Sequence, residues 1–539
     1  MIPTQEQERI INASGDIVTV ARPGSGKTFV LAEKIKRILP GLKDYEGIIA
    51  ISFTNKASNE LKDRSLSSGL EKKESFFGTI HKFYIAEIAL SFGKQLFGLP
   101  ENEFEIVNID QAGLEEERKS YLYELSKSFD YSNQTHINDL GEMYRTGKIY
   151  LDLIEKFATY IFDNSLACRR YLKTKYKYII IDEFQDCGIE QYTIFMKLQE
   201  LGLNAIAVGD LDQSIYGFTG KSSTYLQALM QDERFTTYSL TRNHRCHPSI
   251  INYSLRLMSP NSELLPTDDI RVYHRHITGD VARIVNWIDT HVQGVIQNFE
   301  VASLSEIAIL VKNHKTANIV DMHLATPHKI IEQSLLEFDN NEVSFLFDNI
   351  LKFIFDNLHT ITETIELFVS LERLTLKEQS ELEKNFIFLY DYFNRGNKEF
   401  NEVKDNFELI AMILMPSKDI EKAMNTLENV MLTQLEIYSS RNDNKIQILT
   451  LHKSKGLEFD IVFHLDLFEW ILPAKKYANG SQEYLSYRQD LNLHYVGITR
   501  AKKACILCTS TQRTNYQGRI INGKPSEFFN VNNLARLRS

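Results

Sequence analysis

Short runs of apolar residues recur along the chain, each ended by a polar or glycine-rich break. The first, at 17–20, is β-branched, and after a glycine loop the apolar positions over 29–39 follow a helical period. Comparable runs lie at 47–53, 176–181 and 205–208, with helix-length segments between them. Near-continuous apolar strands alternating with helices predict a parallel sheet covered on both faces. Weaker runs at 306–311, 460–465 and 504–509 predict a second domain of the same kind, assembled from two separated pieces of chain. The expected fold class is α/β, with two parallel-sheet domains.

Two stretches break this rhythm. Residues 86–172 are polar and aromatic and read as helices without a β-branched run. Residues 331–440 hold a single glycine, Gly396, and a single proline, Pro416. Within them Ile350, Leu351, Ile354, Phe355 and Leu358 recur at three- and four-residue steps, the spacing of a helix with one apolar face. Sheet-type sequence resumes after each stretch, so each is expected to be a mainly helical insertion. The expected division is 1–85 with 173–240 as the first α/β domain, interrupted by 86–172. The second is 241–330 with 441–539, interrupted by a reduced insertion at 331–440.

Composition narrows the function classes. With 539 residues, 43% hydrophobic and 24% charged, the chain is an ordinary multidomain globular protein and not a disordered one. Sixty-one Lys and Arg against 71 Asp and Glu give −10, which argues against coating nucleic acid with the whole surface but leaves room for a local basic groove. No apolar run approaches the roughly 20 residues of a membrane span. The N-terminus carries Gln5, Glu6, Glu8 and Arg9 where a signal peptide needs apolar residues, so a cytoplasmic protein is expected, with no membrane partner. The cysteines, Cys168, Cys187, Cys246, Cys505 and Cys508, are too scattered for a disulfide framework. Cys505 and Cys508 fall three apart on a strand, hence on opposite faces, and read as core thiols. His244, Cys246 and His247 lack a second ligand pair, and no zinc site is expected.

The chemistry concentrates after the first strand, in Ala21-Arg22-Pro23-Gly24-Ser25-Gly26-Lys27-Thr28. Gly24, Ser25 and Gly26 offer backbone N–H groups to phosphate, and the next helix adds its positive end. Lys27 supplies a point charge and the Thr28 hydroxyl a ligand for Mg²⁺. Asp182-Glu183 follows the third strand directly. Asp182 is placed to hold Mg²⁺ through water and Glu183 to activate the attacking water.

These residues and others in order resemble the UvrD/Rep type of superfamily 1A DNA helicases along nearly the whole chain. Thr4-x-x-Gln7 is similar to the family's adenine-reading motif, which implies that Gln7 recognises the base. Ser52-Phe53-Thr54-Asn55-Lys56-Ala57 and Gly78-Thr79-Ile80-His81 look like its single-strand contacts. Asp182-Glu183-Phe184-Gln185-Asp186, and Gly209-Asp210-Leu211-Asp212-Gln213-Ser214-Ile215-Tyr216, match the next two motifs. The latter implies that Gln213 senses the γ-phosphate. Thr241-Arg242-Asn243-His244-Arg245, Thr450-Leu451-His452-Lys453-Ser454-Lys455-Gly456-Leu457-Glu458-Phe459 and Tyr495-Val496-Gly497-Ile498-Thr499-Arg500 complete the set.

The resemblance implies two RecA-like motor domains clamping ATP and Mg²⁺. Arg245 and Arg500 would reach the γ-phosphate from the second domain, Glu458 would accept a hydrogen bond from the ribose hydroxyl, and Gly456 would belong to the same nucleotide site. Phe53, Tyr216 and Phe218 would stack bases, with Thr54, Asn55, Lys56, His81 and His452 on the DNA backbone. The implied activity is ATP hydrolysis coupled to 3′→5′ movement on single-stranded or tailed DNA.

Three departures qualify the match. Thr219 follows Phe218 where the family has arginine, Gln489-Asp490-Leu491-Asn492 replaces a charged run, and Phe29 follows Thr28 where a basic residue is frequent. With the lean insertions, they keep a second expectation open. Compact helicase-like subunits of bacterial anti-phage systems such as Gabija are paired with a nuclease, and this chain resembles them too. On that reading it is a nucleotide- or DNA-sensing ATPase that controls a partner nuclease and unwinds little itself.

Overall fold

The structure is a computed structural model. It describes residues 2–52, 55–67, 69–102, 104–109, 114–213, 223–331, 334–339, 341–356, 360–366, 368–369, 374–416, 418, 420–438, 444–478, 481–515 and 519–539. Helix α1 (Gln5–Asn12) precedes strand β1 (Ile17–Ala21) and helix α2 (Lys27–Ile38), and β2 (Gly47–Ile51) and β3 (Phe76–Gly78) follow. The chain then leaves the sheet. Strands β4 (Glu105–Val107) and β5 (Lys148–Tyr150) pair in parallel among helices that include Gln134–Arg145 and Ile154–Asn164. It returns with β6 (Tyr176–Ile181), β7 (Asn204–Gly209) and β8 (Thr236–Leu240), giving one six-stranded parallel sheet in the order β3-β2-β6-β7-β1-β8.

The second sheet repeats the plan. Strands β9 (Val272–Ile277), β10 (Ile307–Val311) and β11 (His328–Ile330) come before a helical segment. Strands β12 (Ile446–Thr450) and β13 (Phe459–His464), the hairpin β14 (Lys475–Ala478) with β15 (Ser481–Tyr484), and β16 (Ala501–Ser510) come after it. The order is β11-β12-β10-β13-β16-β9, again all parallel. Strands β2, β10, β12 and β13 are buried at every position, as a sheet covered on both faces requires.

The two helical segments differ in how they are held. Leu140, Phe157 and Ile161 of the first share one core with Val18, Ile49 and Ile179 of the sheet. The opposite face of that sheet packs Ile48, Ile180 and Ile206 against Leu31 and Ile35 of α2. The later segment, with helices Glu342–Asp356, Leu376–Asn394, Phe400–Leu414 and Glu421–Thr433, has its own core around Phe347, Ile350, Phe386, Phe407 and Leu427. It meets the rest of the chain through polar and cationic contacts. Lys418 Nζ donates to the Phe104 carbonyl at 2.9 Å, and the Lys82 ammonium stands 5.3 Å from the centre of the Phe345 ring. The strands β4 and β5 add a short parallel pair to the mainly helical insertion expected at 86–172. Each is three residues long, too short to leave a periodic signal.

The cysteines behave as core residues: all five are buried thiols outside any disulfide, and Cys505 and Cys508 enter the cores on opposite faces of the second sheet. No helix among the described residues is long and apolar enough to cross a membrane.

His464, at the end of β13, and His494, on the helix Tyr487–Ile498, form a buried histidine pair. His464 Nδ1 lies 2.9 Å from the Leu465 carbonyl, which can only accept, so His464 carries its proton on Nδ1. Its Nε2, 3.1 Å from His494 Nδ1, then accepts from the second ring. Burial holds His464 down at about 4, and burial together with His464 holds His494 well below the usual imidazole range. Both rings therefore bind fewer protons folded than unfolded between the ordinary imidazole pKa, about 6.5, and their folded values. Stability is full above that window and falls as the pH drops through it. Acidification from about pH 7.5 to 5 should remove on the order of 2 kcal/mol at His464, with His494 adding to the loss in the same direction. Thermal unfolding across that range should give a steep slope that His494→Gln flattens; an unchanged slope in the variant refutes the assignment.

Candidate functional site

Strands β6, β7 and β1 are neighbours, with Val20 level with Gly209 and Ile181 level with Ala207. The loops after them leave one edge of the sheet together, the edge where open α/β sheets bind ligands. The loop after β1 needs its glycines. Gly24 has φ 68° and Gly26 φ 84°, left-handed values that L side chains rarely adopt. A Cβ on Gly24 would stand 2.7 Å from Arg245 Cβ, and one on Gly26 would stand 2.7 Å from Gln7 Nε2. Ser25 is buried and shapes the turn, its hydroxyl donating to the Arg22 carbonyl at 2.6 Å. Lys27 and Thr28 open α2, at its positive end.

The acids stand opposite. Lys27 Nζ lies 3.0 Å from Glu183 Oε1. Asp182 Oδ1 accepts the Glu183 N–H at 2.8 Å. Glu183 has φ 54°, a left-handed conformation that costs a non-glycine residue roughly 1 kcal/mol or more. Gln185 bridges two loops: its amide N–H donates to Glu183 Oε2, and its Oε1 accepts the Asp210 N–H at 2.9 Å. Gln213 Nε2 donates to Asp210 Oδ2 at 2.9 Å.

Burial sets the electrostatics. It pushes Asp182 up to about 6, with Glu183 adding to the effect, and pushes Asp210 up to about 6. Glu183 moves the other way, because Lys27 and Lys455 outweigh burial. Lys27 stays above its usual value against burial, held there by Glu183, Asp182 and Asp210. The buried carboxylates of Asp182 and Asp210, the part-exposed Glu183 and the Thr28 hydroxyl are all hard oxygen donors, of the kind that suits Mg²⁺. No group of three or more His, Cys, Asp or Glu among the described residues forms an all-protein cage.

The second sheet completes the cleft. Arg500, 2% exposed, donates Nε to the Val496 carbonyl and Nη1 to the Leu457 carbonyl, both at 3.1 Å, and Nη2 reaches Gln213 Oε1 at 3.5 Å. Burial and then Arg245 pull it down to about 10. Arg245 Nε is 2.5 Å from Glu458 Oε2, and the neighbouring His244 N–H donates to the Gly24 carbonyl at 2.8 Å. Gly456 turns the chain there with φ 83°.

Lys455 crosses the cleft. It pairs with Asp186, donates to the Gln213 carbonyl at 3.1 Å and stands 4.0 Å from Glu183 Oε2. Arg488 and Asp212, 2.9 Å apart, make a second bridge. Sequence reasoning assigned no role to Lys455, Asp186, Asp210 or Arg488. The first three lie inside motif strings whose neighbours carry roles, and that was the available signal.

On the other side of the loop, Gln7 Nε2 donates to the Ser25 carbonyl at 3.0 Å, and its Oε1 accepts the Thr4 N–H at 2.9 Å. The structure thus gathers Gln7, Gly24, Ser25, Gly26, Lys27, Thr28, Asp182, Glu183, Gln213, Arg245, Gly456, Glu458 and Arg500 about one cleft. The expected DNA contacts are less visible. Phe53, Thr54, Tyr216 and Phe218, and Thr219 beside them, lie outside the described residues, as do the side chains of Asn55 and Lys56. His81, in the helix Ile80–Phe83, has Nε2 3.7 Å from Glu155 Oε1 of the first insertion. Burial pushes His452 down to about 4, so at neutral pH it would offer a hydrogen bond and no charge.

Comparison with known proteins agrees with this geometry. Residues 7–219 match an AAA domain, and residues 337–512 match the UvrD-like helicase C-terminal domain. The chain is 28% identical over 547 residues to Gabija protein GajB of Bacillus cereus, covering 94% of this chain and 95% of that protein. It is 26% identical over 640 residues to the ATP-dependent DNA helicase Rep of Buchnera aphidicola, covering 98% and 94%. To the ATP-dependent DNA helicase PcrA of Staphylococcus aureus it is 23% identical over 633 residues, covering 97% and 85%.

Proposed function

We propose that the chain is a UvrD/Rep-type helicase of superfamily 1, a DNA-stimulated, Mg²⁺-dependent ATPase that moves 3′→5′ along single-stranded DNA in the cytoplasm. The observation that carries this reading is the cleft itself: Lys27, Asp182 and Glu183 from one sheet face Arg245 and Arg500 from the other side, across Gln213. ATP phosphates would replace Glu183 as the partner of Lys27. Glu183, released from that ion pair, would accept the proton of the water that attacks the γ-phosphorus while the bond to ADP breaks. Thr28 and Asp182 would hold Mg²⁺, which spreads the phosphate charge when bound. Arg245 and Arg500 would stabilise charge on the transferring group. Because Arg500 rests on Gln213, a residue of the opposite half, the state of the phosphate would be felt by both lobes.

Steady-state ATP hydrolysis with and without single-stranded DNA tests this. Hydrolysis should rise with DNA, and Lys27→Ala should abolish it; an unstimulated rate that Lys27→Ala leaves unchanged refutes the proposal. Strand displacement on 3′-tailed and 5′-tailed duplexes reads the polarity, with the 3′-tailed substrate expected to be opened.

A second reading is favoured by one finding, the near-equal length of the match to Gabija protein GajB. On it the same ATPase serves an anti-phage system and controls a partner nuclease, with little unwinding of its own. Co-purification with the product of an adjacent nuclease gene, and ATP-dependent change in that nuclease's activity, would favour this reading. Duplex opening by the isolated chain would favour the first.

A further inference from the structure

Helix α1 carries Gln7 but is only eight residues long, too short to hold its shape in water. Both its ends are fastened. At the N-terminus Thr4 forms a reciprocal capping box with Gln7. At the C-terminus the fastening comes from α2: Lys34 Nζ donates to the Ile10 carbonyl at 2.9 Å and to the Ala13 carbonyl at 2.6 Å. Lys34 is 3% exposed, and its charge faces the negative end of the α1 dipole. The contact is flanked by Ile10, Ile11 and Val30, and Arg37 donates to Asn12 Oδ1 one turn further along α2. Burial, with Arg37 adding to it, pulls Lys34 down to about 8. An apolar residue of similar length would fill this place without desolvating a charge.

We infer that Lys34 is a positioning residue for base selection: it fixes the far end of α1 against α2 and so sets where the Gln7 amide stands over the phosphate loop. This rests on the reading of Gln7 as the residue that meets the base. The amide already gives one N–H to Ser25 and accepts one from Thr4, so its orientation is set before nucleotide arrives. One N–H and one oxygen lone pair remain by its chemistry. Adenine presents an amino donor beside the N7 acceptor and matches that pair. Guanine presents two acceptors and sets one against the amide oxygen. Because α2 carries both Lys27 and Lys34, one rigid element fixes the distance from the phosphates to the base.

The test is DNA-stimulated hydrolysis of ATP and of GTP by the full chain. Lys34→Met should raise KM for ATP about fivefold, within the range of one such bidentate contact. It should leave kcat at saturating ATP and KM for GTP within about twofold, so the preference for ATP falls. Lys34→Arg, which keeps a cationic donor, should restore most of it, and Lys34→Met added to Gln7→Ala should do no further harm. If Lys34→Met melts too low to assay, Lys34→Gln, which keeps a donor but not the charge, should give the same split. Unchanged preference in a folded Lys34 variant, or equal losses for both nucleotides, overturns the inference while leaving the role of Gln7 standing. Should Gln7→Ala itself leave the preference intact, the base-reading role falls and this inference with it.

Discussion

Glu183→Gln is expected to bind ATP as tightly as the wild type, or more so, and to hydrolyse it roughly 10²–10⁴-fold more slowly. The side chain keeps its size and can still accept from the Gln185 amide, but it cannot take a proton from water. It also no longer holds Lys27 through the 3.0 Å ion pair, so the lysine is freer for phosphate. Single-turnover hydrolysis beside equilibrium binding of a fluorescent ATP analogue separates the two effects. Full turnover in this variant would refute the assignment of Glu183 as the base and shift attention to Asp182 or Asp210.

Arg500→Ala is expected to lower kcat by roughly 10³–10⁵-fold, the range found when a transition-state arginine is removed from phosphoryl transfer. The guanidinium is buried, already oriented by the Val496 and Leu457 carbonyls, and aimed at Gln213, so little reorganisation is needed when charge develops. Arg500→Lys should not rescue it, since one ammonium cannot serve the carbonyls and the cleft together. ATP binding and the melting curve, measured in parallel, distinguish lost chemistry from lost folding. A variant that folds, binds ATP and hydrolyses it within tenfold of wild type would rule Arg500 out of the transition state.

What could be read along the chain was whatever lies within a short window. The buried inner strands β1, β2, β6, β7, β10, β13 and β16 announced themselves as apolar runs, because both their faces are covered. Strands β3, β8, β9 and β11 did not, and all four are sheet edges. An edge strand is paired on one side only and tolerates polar residues, as in β8 with Thr236, Thr237 and Ser239 or β9 with His274 and His276. Strand β12 was missed for a different reason: Gln447 interrupts the run although it is itself buried.

The sequence by itself determined the strand, glycine loop and helix at 17–38 and the identities of the acids, lysine and arginines proposed for the site. It did so because glycine's conformational freedom, side-chain chemistry and covalent spacing are local properties. Only the tertiary structure decided that Lys27 rests on Glu183, 156 positions away, and that Lys455 crosses to Asp186, 269 positions away. It alone decided that the first insertion shares the core of its sheet while the second folds around its own. It also decided that Lys34, an unremarkable helix residue in one dimension, is buried against the end of α1. Such pairings depend on which charges are desolvated together, and desolvation is a property of the packed chain that no stretch of it carries alone.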